Sequence, residues 1–246
     1  MSRTKAAFRT DRGRKRSINE DALFCRNESS FYMVADGVGG HNAGELASSL
    51  AAELVGSYVK HRPVEDVRTE DELKDYFFDC LSEANESVSR VAQQREGKVG
   101  MATTALLTYI WNGKAFVVNL GDSRAYLLRD GCLMRITEDH SYVNQLLKEG
   151  SITEEEALVH PKRNVITRAI GADESIEPDF FQFEVYPGDR ILLCTDGLYN
   201  EVPEEEICGV IAAYEDVEDA ADELVRRAGE YGGSDNITVI CIAILN

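Results

Sequence analysis

Four strings in this sequence set acidic side chains where they could meet a ligand: Asn19-Glu20-Asp21, Asp36-Gly37, Thr195-Asp196-Gly197 and Ser234-Asp235-Asn236. In the second and third, an apolar run (Phe31 to Ala35; Ile191 to Cys194) delivers the Asp straight into a glycine-containing turn. The fourth reverses that order, with Gly232-Gly233 ahead of Asp235 and an apolar run from Ile237 behind it. Singly, an Asp-Gly pair is a turn signal, because Asp bonds its own backbone and Gly accepts the left-handed conformation. Together, hard carboxylate oxygens converging from several strand ends suit Mg²⁺ or Mn²⁺, whereas zinc would also want His or Cys.

Such a cluster needs strands and turns to hold it, and the periodicity supplies them. A helix is expected from Ala43, with Asn42 as N-cap, Glu45 three residues on, and an apolar stripe of Leu46, Leu50, Leu54 and Tyr58. A second helix runs from about Asp71 to Ala92, where Leu73, Phe77, Leu81, Ala84, Val88 and Val91 recur at three- and four-residue spacing. The period then changes. Thr103 to Trp111, Asn112-Gly113 and Lys114 to Leu120 read as a hairpin, and Arg124 to Leu128, Asp130-Gly131 and Leu133 to Ile136 as another. Further strands are expected at Phe180 to Val185, Arg190 to Cys194 and Asn236 to Leu245, and helices at Pro203 to Ala213 and Val217 to Tyr231. Hairpins following hairpins imply antiparallel sheet, and helices arriving in pairs imply layers packed outside it. The fold class is therefore α+β, with a β-core between helices; the strand order does not follow from the pattern.

Composition narrows the function classes. The 246 residues, 43% hydrophobic, can bury one large core, and no repeat or Pro/Gly/Ser-rich linker divides them, so one domain over residues 1–246 is expected. A net charge of -18 argues against nucleic acid or an anionic membrane as the main partner, since both need clustered positive charge. No apolar stretch approaches a membrane span. The first sixteen residues hold seven basic side chains against one acid, Asp11, but no apolar segment follows as in a secretory signal. The six cysteines form no Cys-x-x-Cys pair and sit among apolar neighbours, as reduced thiols in a cytoplasmic protein would.

Five ordered strings then carry a resemblance: Arg16 to Asp21 (R-x-x-N-E-D), Val34 to Glu45 (V-A-D-G-V-G-G-H-N-A-G-E), Asn119 to Arg124 (N-L-G-D-S-R), Thr195 to Leu198 (T-D-G-L) and Gly232 to Thr238 (G-G-S-D-N-I-T). This set resembles the PPM family, the 2C-type protein serine/threonine phosphatases, in its bacterial form. The resemblance implies an antiparallel β-sandwich flanked by antiparallel helix pairs, in α-β-β-α layers. It implies hydrolysis of phosphoserine and phosphothreonine by water activated between two Mn²⁺ or Mg²⁺ ions, with a weaker third ion. Asp36 would bridge the pair, the Gly37 carbonyl would serve one ion, Asp196 and Asp235 would complete the other's shell, and Glu20 and Asp21 would act directly or through water. Asp122, with Asp196, would hold the third ion; alternatively it orders the turn between Leu120 and Ala125. Arg16 would grip the substrate phosphate with its planar fork, the alternative being a surface Arg in a basic tail.

His41 would be a general acid toward the departing oxygen, or else a solvated loop histidine; the eukaryotic pattern puts its acid His directly after Asp-Gly, where Val38 stands here. Residues 137–186 resemble the family's flap subdomain, with a capped helix from Thr153 to Leu158 and a basic trio of Lys162, Arg163 and Arg168 that contacts substrate or is simply solvated. Ala102 replaces the Gly common before the Thr103-Thr104 pair, which bears on local backbone geometry.

Other phosphatase chemistries lack their residues. A cysteine-phosphatase loop needs Arg six residues after Cys, and those positions hold Phe31, Glu86, Glu138, Asn200 and Tyr214. Asp-x-His and Asn-His-Glu groups, Gly-x-Ser-x-Gly and a Walker loop are missing too. The expected partners are phosphoserine and phosphothreonine proteins and an opposing serine/threonine kinase, with the chain acting as a monomer. Two rival functions remain: a phosphatase dedicated to one phosphoserine regulator in a partner-switching pathway, and an inactive phosphoprotein-binding scaffold. Against the scaffold, every matching metal-site side chain is an acid.

Overall fold

Short runs of apolar residues, most of them buried on both faces, pair as two antiparallel sheets. The computed structural model describes residues 4–40, 43–94 and 100–245. One sheet contains β1 (Thr4–Asp11), β11 (Ile237–Ile244), β10 (Arg190–Cys194), β7 (Arg124–Arg129) and β8 (Cys132–Arg135), in that spatial order. The other runs β2 (Asp21–Arg26), β3 (Phe31–Val38), β5 (Ala105–Trp111), β6 (Lys114–Leu120) and β9 (Asp179–Glu184), with the two-residue β4 (Ala102–Thr103) also pairing with β3. In β3, Tyr32 and Val34 face the other sheet while Phe31, Met33 and Ala35 face helices, so the run is apolar throughout because both faces are buried.

The two sheets press together through Tyr32, Val34, Leu106 and Val117 on one side and Ala125, Leu193, Ile240 and Ile242 on the other. Helices α1 (Ala43–His61) and α2 (Glu70–Gln94) cover the second sheet, packing Ala47, Phe77 and Leu81 on Met33, Leu107 and Phe116. Helices α6 (Glu204–Ala213) and α7 (Val217–Tyr231) cover the first, packing Ile207 and Leu224 on Tyr126, Leu192 and Val239. The layers are thus helix, sheet, sheet, helix. Each fully buried Leu or Phe in them contributes about 1.5–3 kcal/mol of transfer free energy. Both hairpin turns take left-handed pairs, with φ of 51° at Asn112 and 52° at Asp130, and these match the twist of the flanking strands.

Between β8 and β9 lie α3 (Tyr142–Lys148) and α4 (Glu154–Leu158), the latter opened by a capping box between Thr153 and Glu156. Single bridges, Thr103 to Ile170 and Ser141 to Ile166, tie this stretch down. A four-residue helix, α5 (Asp196–Tyr199), follows β10 directly.

Two features depart from the sequence pattern. The basic start of the chain is an edge strand, β1, whose Lys5 and Arg9 reach across to Asp216 and Asp222 on and beside α7. Edge strands carry charge of this kind against stray pairing, and the charge hides their alternation. The strand expected from Thr103 breaks at Thr104, which turns its backbone and hydroxyl onto Asp36. The Asn42 cap assigned to α1 lies outside the described residues. No helix in the described residues is long and apolar enough to cross a membrane.

Candidate metal centre

All the expected carboxylates except Glu20 project from strand ends, strand starts or the turns that continue them. Register sets Asp21, the first residue of β2, directly opposite Asp36 near the end of β3. Like charges directly opposite each other destabilise a ladder, so this pair needs a compensating charge. From the other sheet, Asp196 opens α5 and Asp235 precedes β11. The sheets meet at this point: the Thr195 hydroxyl donates to Asp21 Oδ2 at 2.8 Å and accepts from the Thr238 amide at 3.0 Å.

The backbone beneath is tightly held. Asn236, 3% exposed, accepts from the Glu20 amide at 2.8 Å and donates to the carbonyls of Arg12 and Ile18, so it locks the whole Arg12–Asp21 loop onto the Asp235 turn. Gly37 donates to the Glu20 carbonyl at 3.0 Å, and a Cβ on Gly37 would stand 2.0 Å from the Gly44 carbonyl oxygen. Only glycine permits that approach of β3 to the start of α1. The Thr104 hydroxyl accepts from the Asp36 amide at 2.8 Å, and the Thr103 hydroxyl donates to the Asp36 carbonyl at 2.9 Å. The paired threonines thus grip the backbone of Asp36 from both sides, with Ala102 at 6% exposure behind them.

Charge is the dominant property of the site. Asp21, Asp36, Asp122 and Asp196 keep a partly open face, yet their surroundings strip most of their hydration. Burial, then Asp196 and Asp235, push the Asp21 carboxyl up to about 7. Burial, then Asp21, Asp196 and Asp122, push Asp36 well above the carboxylate range. Asp122 rises to about 8 through burial, Asp196 and Asp139, and Asp196 to about 6 through burial and Asp235. Asp21 Oδ1 and Asp196 Oδ1 are buried and take no hydrogen bond. Among the described residues no group of three or more His, Cys, Asp or Glu is set as a ready-made cage. Acids that repel one another, with carboxylate oxygens left unbonded and with carbonyls and solvent at hand, fit a hard divalent ion that keeps some of its water.

Arg16 stands at the rim. Its Nη2 donates to Asp235 Oδ2 at 2.6 Å and its Nη1 lies 3.6 Å from Glu20 Oε2, with 46% of the side chain exposed. It is therefore anchored, with free donors left over. Asp122 lies in the turn between β6 and β7, its carbonyl accepting from the Tyr199 hydroxyl at 2.9 Å. His41 lies outside the described residues.

The basic trio is dispersed. Arg163 lines a cleft of about 470 Å³ that opens beside Asp122 and Asp196 and is walled by Leu147, Leu158 and Arg124. Lys162 sits over the Tyr142 ring, and Arg168 turns away to Asp179 and the Glu177 carbonyl. Sequence reasoning did not find the roles of Asn236, Thr195, Thr104 and Arg124. Arg124 stacks 3.6 Å above the Tyr199 ring and pairs with Asp139. Neither spacing nor residue type distinguishes such groups from ordinary strand-end polar residues.

Comparison with known proteins follows the same lines. The profile of the protein phosphatase 2C family matches residues 10–239. A serine/threonine phosphatase, Stp, of Listeria monocytogenes is 37% identical over 240 residues, covering 96% of this chain and 94% of that one. The crystal structure of serine/threonine phosphatase Stp1 from Staphylococcus aureus superposes with a TM-score of 0.91 at 33% identity, covering 100% of this chain and 96% of that one. The catalytic domain of the serine/threonine protein phosphatase PstP, solved in complex with two manganese ions, does so with a TM-score of 0.86 at 34% identity and 99% coverage of both. With its motifs, its layered fold and its acid-lined centre in agreement, the chain belongs to the protein phosphatase 2C family.

Proposed function

We propose that the chain is a metal-dependent protein phosphatase that hydrolyses phosphoserine and phosphothreonine and opposes a serine/threonine kinase in the cytoplasm. The observation that carries this reading is the cluster of mutually repelling, under-bonded carboxylates at one end of the sandwich, in a chain whose relatives are serine/threonine phosphatases. Asp36, Asp21, Asp196 and Asp235, the Gly37 carbonyl and, through water, Glu20 are the residues that would hold two ions. Asp122, with Asp196, would hold a weaker third. Bound divalent cations lower the pKa of water and offset charge on the phosphoryl oxygens.

The protein's own groups do the rest. Arg16, half exposed and tied to Asp235, meets two phosphate oxygens with its guanidinium fork and fixes the phosphorus over the acidic cluster. The Thr103-Thr104 grip and Asn236 hold the carboxylates in place before substrate arrives, so little reorganisation is needed. His41 is assigned the proton to the departing oxygen. We read residues 1–246 as one catalytic domain, a monomer, with residues 137–186 as its flap. The cleft between Asp122 and α4 would receive the peptide beside the phosphoresidue.

The test is phosphate release from a phosphothreonine peptide with Mn²⁺ and then with chelator. Turnover with Mn²⁺ that is lost on chelation is expected. Turnover that persists in chelator contradicts the reading, and no turnover under any metal would favour the scaffold.

A further inference from the structure

His140 is buried, 7% exposed, and joins three parts of the molecule. Its amide donates to the Gly121 carbonyl at 2.9 Å, and the Gly121 amide donates back to His140 Nδ1 at 3.1 Å. Its carbonyl accepts from Thr167 at 2.8 Å, at the far end of the segment that carries α3 and α4. On the other side of the ring, Nε2 lies 3.1 Å from Asp179 Oδ2 on β9 and 3.4 Å from Arg168 Nη1. Arg168 is committed as a donor to Asp179 Oδ1 and the Glu177 carbonyl, so Asp179 is the acceptor that Nε2–H faces.

These contacts leave one protonation state that satisfies every group. Gly121 N–H needs an acceptor, so Nδ1 must carry no proton; Asp179 needs a donor, so Nε2 must carry one. Burial, which outweighs the opposing pull of Asp179, lowers the affinity of the ring for a second proton. The Gly121 backbone is itself constrained: φ is 121°, and a Cβ there would lie 2.5 Å from Thr104 Cγ2. The next residue is Asp122. Across the turn, the Ser123 hydroxyl pairs at 2.8 Å with Thr104, the residue that grips Asp36.

We infer that His140, neutral and protonated on Nε2, is a positioning residue: by accepting from Gly121 while donating to Asp179 it fixes the turn that aims Asp122 into the acidic centre. The inference rests on the reading of Asp122 as a catalytic metal ligand. Groups that orient ligating residues in this way typically carry about 10- to 100-fold of metal affinity or activity.

Two near-isosteric variants separate the two hydrogen bonds. In His140→Asn the side-chain oxygen replaces Nδ1 and keeps the Gly121 bond; in His140→Gln the amide nitrogen replaces Nε2 and keeps the Asp179 bond. The Gln variant should lose about 10- to 100-fold in kcat on a phosphopeptide with little change in KM, and the Asn variant should stay close to wild type. Equal losses in both, tracking their melting temperatures, would reduce His140 to a core residue and overturn the inference. Asp122→Ala is measured beside them. If that variant kept full turnover, the reading of Asp122 would be at fault. If it lost turnover while His140→Gln kept it, only the inference about His140 would fall. Independently of activity, ¹⁵N spectra of the metal-free wild-type protein should show one histidine ring neutral with its proton on Nε2, bonded to the Gly121 amide. A His140 ring protonated on Nδ1 at neutral pH would overturn the inference even if neither variant folded.

Discussion

Two sets of acids lie within this fold and differ in what offsets their charge. Asp189, 3% exposed, receives Arg129 Nε at 2.9 Å and Nη2 at 2.6 Å; burial would raise its pKa, but the guanidinium and the Tyr186 amide hold it below the usual value. Asp139 is likewise clasped by Arg124 and Arg135. At the metal centre, Asp21, Asp36, Asp122 and Asp196 meet one another instead, and all four are pushed upward. Of the nearby cations, Arg16 is tied to Asp235 and Glu20. The same residue type is stabilised in its charged form where the chain supplies the cation and disfavoured in it where the chain supplies none.

The largest effect that could break this contrast is catalytic. Asp36→Asn removes the charge that would be shared by both ions, so turnover on a phosphopeptide should fall by orders of magnitude while the circular dichroism stays native. Near-normal kcat at millimolar Mn²⁺ would remove Asp36 from the centre. Arg16→Ala should follow with a smaller loss, raising KM about tenfold or more and lowering kcat less, because a guanidinium in the proposed role would grip phosphate in ground and transition states alike. An unchanged KM would leave Arg16 only its ion pair with Asp235.

Stability sharpens the contrast by sign. In metal-free protein, Asp36→Asn should raise Tm by relieving repulsion, whereas Asp189→Asn should lower it by stranding Arg129. At this chain length each kcal/mol corresponds to about 2–4 °C. Shifts of the same sign would show that the two acid environments do not differ as described.

How much of this was legible in the sequence follows from where the information sits. Periodicity exposed α1, α2, α6 and α7 and both tight hairpins, because an apolar stripe or an Asn-Gly or Asp-Gly turn is a local signal. The edge strand β1 was not legible, since Lys5 and Arg9 interrupt its alternation and only Ala7 is buried. At the centre, motif order singled out the carboxylates that the fold brings together, whereas Asn236 and Thr104 hold backbone groups 68 to 224 residues away and His140 meets the Gly121 turn and β9. Such groups are defined by tertiary contact, which spacing along one chain does not encode. The divergence of Lys162, Arg163 and Arg168 has the same origin: neighbours in sequence, they face a ring, a cleft and an acid on β9.

The smallest expected effect is a slope. A carboxylate whose folded pKa is raised binds its proton more tightly folded than unfolded, so its contribution is intact below the unfolded value of about 4 and lost as pH rises through the folded value. With Asp196 at about 6, Asp21 at about 7 and Asp122 at about 8, the metal-free Tm should decline from pH 5 to pH 8. Saturating Mn²⁺ should flatten that decline, since ions bind the ionised acids of the native state. A metal-free Tm that rises over this range would contradict the assignment of the shifts.

Diffraction at the manganese edge from crystals grown with Mn²⁺ tests the central claim most directly, because anomalous peaks locate the ions without recourse to activity. The account predicts two strong peaks within ligating distance of Asp36, flanked by Asp21, Asp196 and Asp235. Peaks that avoided Asp36, or gathered on the surface acids of α2 and α7 while the carboxylates of β2 and β3 stayed without an ion, would contradict it.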